Sequence, residues 1–116
     1  MFDYICDKKS DFERIDTLLD KNNLQLDDYT DNINSLGDAF DKWSSFGFYT
    51  QSINGNDIDE IDQAIMNAKK HQGQPAMIIL NTIKGKGVSF IEKATTSNHS
   101  MPISAEDLNK ALEELE

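Results

Sequence analysis

Two stretches of the chain carry side chains suited to holding a metal ion or an anion. The first is Asp20-Lys21-Asn22-Asn23-Leu24-Gln25-Leu26-Asp27-Asp28, and the second runs from Lys84-Gly85-Lys86-Gly87 to Asn98-His99-Ser100. An asparagine side-chain carbonyl and a backbone carbonyl are hard oxygen donors, which suit magnesium sharing its shell with phosphate and water. A loop histidine such as His99 can donate a hydrogen bond to a substrate or phosphate, and it changes protonation near neutrality. Each residue also has an ordinary role open to it, because asparagines are frequent in turns and a single loop histidine can simply face solvent. Gly85-Lys86-Gly87 is neither a P-loop nor a dinucleotide fingerprint, and loop geometry accounts for it as well as anion binding does. His71 reads as a helix-end residue and Trp43 as core. No nucleophilic triad or paired-carboxylate site stands out.

The chain that must position these residues is short. Its 116 residues and 38% hydrophobic content leave room for one small domain or for a piece of a larger one. Its formal charge of −10 is unevenly spread, since residues 1–62 hold 15 acidic and 5 basic side chains and residues 63–116 hold 6 of each. Such an acidic surface disfavours nucleic acid, whose affinity comes largely from lysine and arginine neutralising phosphates. No run approaches the ~20 apolar residues of a membrane span, and the N-terminus is too charged for a signal peptide. With one cysteine, Cys6, and no Cys/His cluster, the expected compartment is the cytoplasm.

The elements emerge from periodicity. Ser35 with Asp38 resembles a capping box, and Leu36, Ala39, Phe40, Trp43 and Phe46 follow at helical spacing up to Gly47. Phe48–Ile53 has the composition of a strand and ends at the Asn54-Gly55 turn signal. Asp57 and Glu60 form a second capping box, ahead of an apolar stripe of Ile58, Ile61, Ala64, Ile65 and Ala68. Ala76–Leu80 is apolar throughout, the pattern of a parallel strand covered on both faces. A polar loop is expected from Lys84 to Ser100. Ser104 with Asp107, and a staple of Ile103 with Leu108, then open a helix whose buried stripe is Leu108, Ala111, Leu112 and Leu115. Near the N-terminus, Leu18-Leu19 fits the end of a short strand, while Phe12, Ile15 and Leu19 fit one side of a helix. The order helix–strand–helix–strand–helix argues for an open α/β sheet, in which ligands bind beyond the carboxyl ends of the strands.

From Leu19 onward the chain closely resembles the thiamine-diphosphate-binding N-terminal section of transketolase, most of all the split bacterial type in which that section is a separate subunit. The resemblance rests on Leu19–Asp27, on Asp41-Lys42-Trp43 followed by Phe46-Gly47-Phe48, on Asn54-Gly55-Asn56-Asp57, and on Lys84–Phe90 followed by His99. It implies a partial doubly wound parallel sheet of the thiamine-diphosphate-binding fold over residues 19–116, with residues 1–18 as a divergent N-terminal segment. It further implies that Asn22 is the side-chain magnesium ligand and that Leu24 adds its backbone carbonyl. His99, by the same resemblance, faces cofactor and sugar in a catalytic position. In that family, a two-carbon ketol unit passes from a ketose phosphate to an aldose phosphate in the pentose phosphate pathway, and thiamine diphosphate supplies the reactive carbon. The implied partner is a pyrimidine-binding section of transketolase, on the same or another chain, and the implied assembly is an oligomer.

Some of the family pattern is absent from the sequence. None of the six glycines belongs to a Gly-Asp-Gly motif, which carries the charged magnesium ligand of the family, Asn56 stands where histidine is usual, and Ser100 replaces a glycine. A partial module is therefore expected, inactive by itself, with Leu80, Ile79 and Phe40 depending on neighbours beyond it. The rival expectation is a non-catalytic acidic interaction module derived from a transketolase.

Overall fold

A computed structural model describes residues 16–116. Their contacts divide them into two compact units, one taking the chain up to Lys21 together with Asp38–Asn81, the other taking Asn22–Gly37 with Thr82–Glu116. The helical alternative for Phe12 and Ile15 lies outside the described residues. No described helix is long and apolar enough to cross a membrane.

The first unit is built on three parallel strands. Strand β5 (Ala76–Asn81) lies between β1 (Asp16–Lys21) and β4 (Tyr49–Asn54), in register from Asp16 and Tyr49 at Ala76 to Lys21 and Asn54 at Asn81. Leu18 and Leu19 therefore belong to a strand. The continuous apolar run of β5 is explained by what lies on its two faces. Ala76, Ile78 and Leu80 pack with Ala64, Ile65 and Ala68, and Met77 and Ile79 pack with Ala39, Trp43, Phe48 and Leu19. Helices cover the sheet on both sides, as in a doubly wound fold. Ile79, expected to depend on neighbours elsewhere, is buried within this unit.

Helix α3 (Ile58–Lys70) begins where the capping signal places it, with Asp57 Oδ1 accepting from the backbone N–H groups of Asp59 (3.0 Å) and Glu60 (3.1 Å). The reciprocal half of the box is redirected, because Glu60 Oε2 accepts from Asn54 N at 2.8 Å and ties the helix to the end of β4. Ile58 departs from the expected stripe and is 77% exposed, since the buried side of the helix is set further along by Ala64 and Ala68. Helix α2 (Ala39–Ser45) starts later than expected. Its cap is Asp38, which accepts from Asp41 N, while Ser35 Oγ accepts from Gly37 N and donates to Asp31. Leu36 consequently lies outside the helix. Gly47, at φ 87°, supplies the left-handed residue that stops it.

The second unit has less regular structure. A short hairpin, β2 (Leu24–Gln25) with β3 (Asp28–Tyr29), runs into α1 (Thr30–Asn34). The expected polar loop after β5 is in large part helical, with α4 (Ser89–Ala94) followed by a 3-10 helix (Thr95–Ser100). Tight packing of the preceding glycine turn on Ile91 accounts for this order. A Cβ at Gly85 would stand 2.3 Å from Ile91 Cγ2, so glycine is required there for steric reasons as well as for its φ of 77°. Helix α5 (Ala105–Leu115) has the full capping box, with Asp107 N donating to Ser104 Oγ and Ser104 N to Asp107 Oδ2. Its apolar stripe is not buried, as Leu108, Leu112 and Leu115 are 53, 53 and 61% exposed. The amphipathic pattern specified the helix, but the described residues of its own unit present no apolar surface that covers the stripe.

Candidate cofactor site

β1 and β5 end side by side at Lys21 and Asn81, and the chain runs on from them into the two stretches that carry the candidate residues. Asn22, half-buried, folds its amide back so that Oδ1 accepts from Leu24 N at 3.0 Å. Asn23 adopts φ 61°, a conformation that asparagine tolerates better than most residues. Its carbonyl accepts from Thr30 N at 2.9 Å and closes the hairpin. Because Leu24 pairs with Tyr29, next to that bond, the alternation of antiparallel pairing turns the Leu24 carbonyl away from β3. The hairpin thus offers two neutral oxygens, Leu24 O and the remaining lone pair of Asn22 Oδ1.

The 3-10 helix lies beside β2 within the same unit, so the segment carrying His99 neighbours the one carrying Leu24. His99 is exposed, with Nδ1 3.4 Å from Lys84 Nζ. Its neighbour Asn98 donates from Nδ2 to Ile91 O at 3.1 Å, while its enclosed Oδ1 meets no hydrogen-bond partner among the described residues. In the sequence Lys84 is only part of a glycine turn. Its contact with His99 spans 15 residues and follows no periodicity, so only the fold could show it.

The Asp28 carboxylate of the hairpin is committed to local donors. Asp28 Oδ1 accepts from Asn32 Nδ2 at 3.0 Å and from Tyr29 N at 2.7 Å. The Asn32 amide first, and then the Tyr29 N–H, hold the Asp28 carboxyl below its usual range. Among the described residues no group of three or more His, Cys, Asp or Glu side chains is placed to hold a metal ion.

A hairpin with two neutral oxygens, beside a helix that bears a histidine, is chemically suited to a cation that carries an anion with it. The family model described as transketolase, thiamine diphosphate binding domain, matches residues 8–115. The chain belongs to this family.

The match takes in the candidate residues and begins inside the segment 1–18. The chain is 48% identical over 106 residues to the 6-deoxy-6-sulfo-D-fructose transketolase subunit SqwG of Clostridium sp. (strain MSTE9), covering 89% of this chain and 38% of that protein. It is 35% identical over 105 residues to an apulose-4-phosphate transketolase subunit of Actinobacillus succinogenes, covering 88% of this chain and 37% of the relative. A transketolase of Staphylococcus epidermidis is 35% identical over 96 residues, which are 82% of this chain and 14% of that protein. The chain thus spans a little over a third of the length of the two subunit relatives. Their names agree with the resemblance to the split N-terminal type.

The donor set fits one side of a magnesium diphosphate site. Two neutral oxygens suit a hard cation, and an exposed imidazole suits a phosphate or sugar oxygen. Among the described residues, no cluster of three or more His, Cys, Asp or Glu side chains adds charged donors to these oxygens.

Proposed function

We propose that this chain supplies the Asn22, Leu24 and His99 side of a magnesium–thiamine diphosphate site in a split transketolase, completed by a pyrimidine-binding subunit. The observation that carries the reading is the placement of the Leu24 hairpin beside the 3-10 helix bearing His99. In this reading Asn22 Oδ1 and Leu24 O would hold the magnesium ion, which would offset the charge of the diphosphate. Bound thiamine diphosphate supplies the carbon that carries the two-carbon ketol unit. The protein's part is to bind and orient, with His99 donating or accepting a hydrogen bond at the cofactor and sugar.

The substrates are a ketose donor and an aldose acceptor bearing a terminal anion. The names of the relatives, one for a 6-sulfo sugar and one for a 4-phosphate, support a phosphate or sulfonate there. Reaction in the pentose phosphate pathway, cytoplasmic location and an oligomeric assembly belong to the same reading.

Mixing the chain with a pyrimidine-binding transketolase subunit, magnesium and thiamine diphosphate tests it directly. Ketol transfer is expected in the mixture and not from the chain alone, and Asn22→Ala is expected to reduce it at least about tenfold, the effect of one lost polar contact to the ion. Stable binding of the partner without turnover would instead favour a non-catalytic interaction module. Calorimetry on the isolated chain provides the companion test. Lack of one charged partner costs about 2–5 kcal/mol, roughly 30- to 5,000-fold in affinity, so no micromolar binding of thiamine diphosphate is expected even with millimolar magnesium. Micromolar binding weakened by Asn22→Ala would show that another residue supplies the charge.

A further inference from the structure

We infer that Lys84 is a positioning residue that holds His99 in a single tautomer, with the imidazole proton on Nε2. The donor inventory decides the form. A lysine ammonium has three donors and no acceptor, so at 3.4 Å it can be satisfied by Nδ1 only if that nitrogen carries a lone pair. The ring proton then resides on Nε2, leaving that nitrogen as a fixed donor.

The surroundings make the contact specific. The chain neighbours of Lys84 and His99 both contact Ile91. Gly85, next to Lys84, seats against the Ile91 side chain, and Asn98, next to His99, donates to the Ile91 carbonyl. The nearby Lys86 has a different partner, its Nζ lying 3.6 Å from Glu92 Oε1, which also accepts from Gly87 N. Lys84 supplies the ammonium that faces the imidazole. This inference rests on the proposed role of His99, and it specifies the form in which that residue meets its ligand. A diphosphate or sugar oxygen would be approached by an N–H donor, and a hydroxyl would not find a base at Nε2.

Long-range proton–nitrogen NMR on histidine-labelled chain, at a pH above the usual imidazole range, reads the tautomer without any cofactor. The wild-type chain and Lys84→Arg are expected to carry the proton on His99 Nε2. Lys84→Glu replaces the donor with an acceptor and is expected to move the proton to Nδ1, a change of about tenfold or more in tautomer ratio for a hydrogen bond to a charged group. Should Lys84→Glu disturb the amide spectrum, Lys84→Met gives the comparison, with both tautomers populated at His99. A wild-type proton on Nδ1, or one tautomer ratio in all variants, would overturn the inference. A tautomer that follows residue 84 in a chain that never supports ketol transfer would sink the function reading alone.

Discussion

Strand β5 and helix α5 are both strongly apolar in pattern, yet their side chains meet opposite fates. Met77 is 1% exposed between α2 and the sheet, whereas Leu112 is 53% exposed on α5. An apolar stripe declares which face needs cover, and whether cover exists is decided by the other elements of the same unit. The first unit supplies a helix for each face of β5. The second ties α4 to α5 through a polar contact, with Ser89 N and Oγ donating to the Glu114 carboxylate.

This contrast can be tested from its strong end. Met77→Ala should cost about 2–5 kcal/mol in urea unfolding, because it removes a fully buried side chain where the neighbouring strands leave little room for collapse. A loss below about 1 kcal/mol would mean that the β5 core is looser than its burial shows. Gly85→Ala is next, at about 1–3 kcal/mol, as the new methyl meets Ile91 Cγ2 and the residue must hold a left-handed conformation. Faster amide exchange in α4 and the 3-10 helix is the expected signature.

Acidification offers a gentler probe of the polar fastenings. The backbone and hydroxyl donors of Ser89 hold the Glu114 carboxyl below its ordinary 4.5, and Ser104 does the same for Asp107. Because folding lowers both values, their stabilisation is complete above the unfolded value and is lost as the pH falls through the folded one. Amide protection at Ser89 should therefore decline below about pH 4.5, and Glu114→Gln should remove that dependence. The smallest effect is expected at Leu112→Gln, within about 0.5 kcal/mol in the isolated chain, as for other exposed substitutions. A large loss there would show that the stripe has cover after all.

Much of the first unit was legible because its signals are local. Asp57 caps α3 through neighbouring N–H groups, and the unbroken apolar run of β5 already implied helices on both faces. What sequence left open depended on choices among competing acceptors. Sequence made Ser35 the cap and Asp38 the acid of its box, whereas in the fold Asp38 itself caps α2, with Ser35 turned to Gly37 and Asp31. In the site, Asn22, Leu24 and His99 stand out through family resemblance, and the structure adds that the Leu24 and His99 segments are neighbours. The Lys84 contact was beyond reach, since a pair whose chain neighbours meet at Ile91 leaves no mark of spacing.

The register of the sheet also sets an order in time. Partners across β4 and β5 stand 27 residues apart, from Tyr49 to Ala76, whereas those across β1 and β5 stand 60 apart, from Asp16 to Ala76. Closing the longer loop costs about 0.7 kcal/mol more in chain entropy, so β4, α3 and β5 form the natural nucleus. On the ribosome, at roughly 5–20 residues per second, β1 is made first but waits roughly 3–12 s for its partner strand. During that interval the edge of β1 that will pair with β5 keeps its hydrogen-bonding groups open to water or to a chaperone.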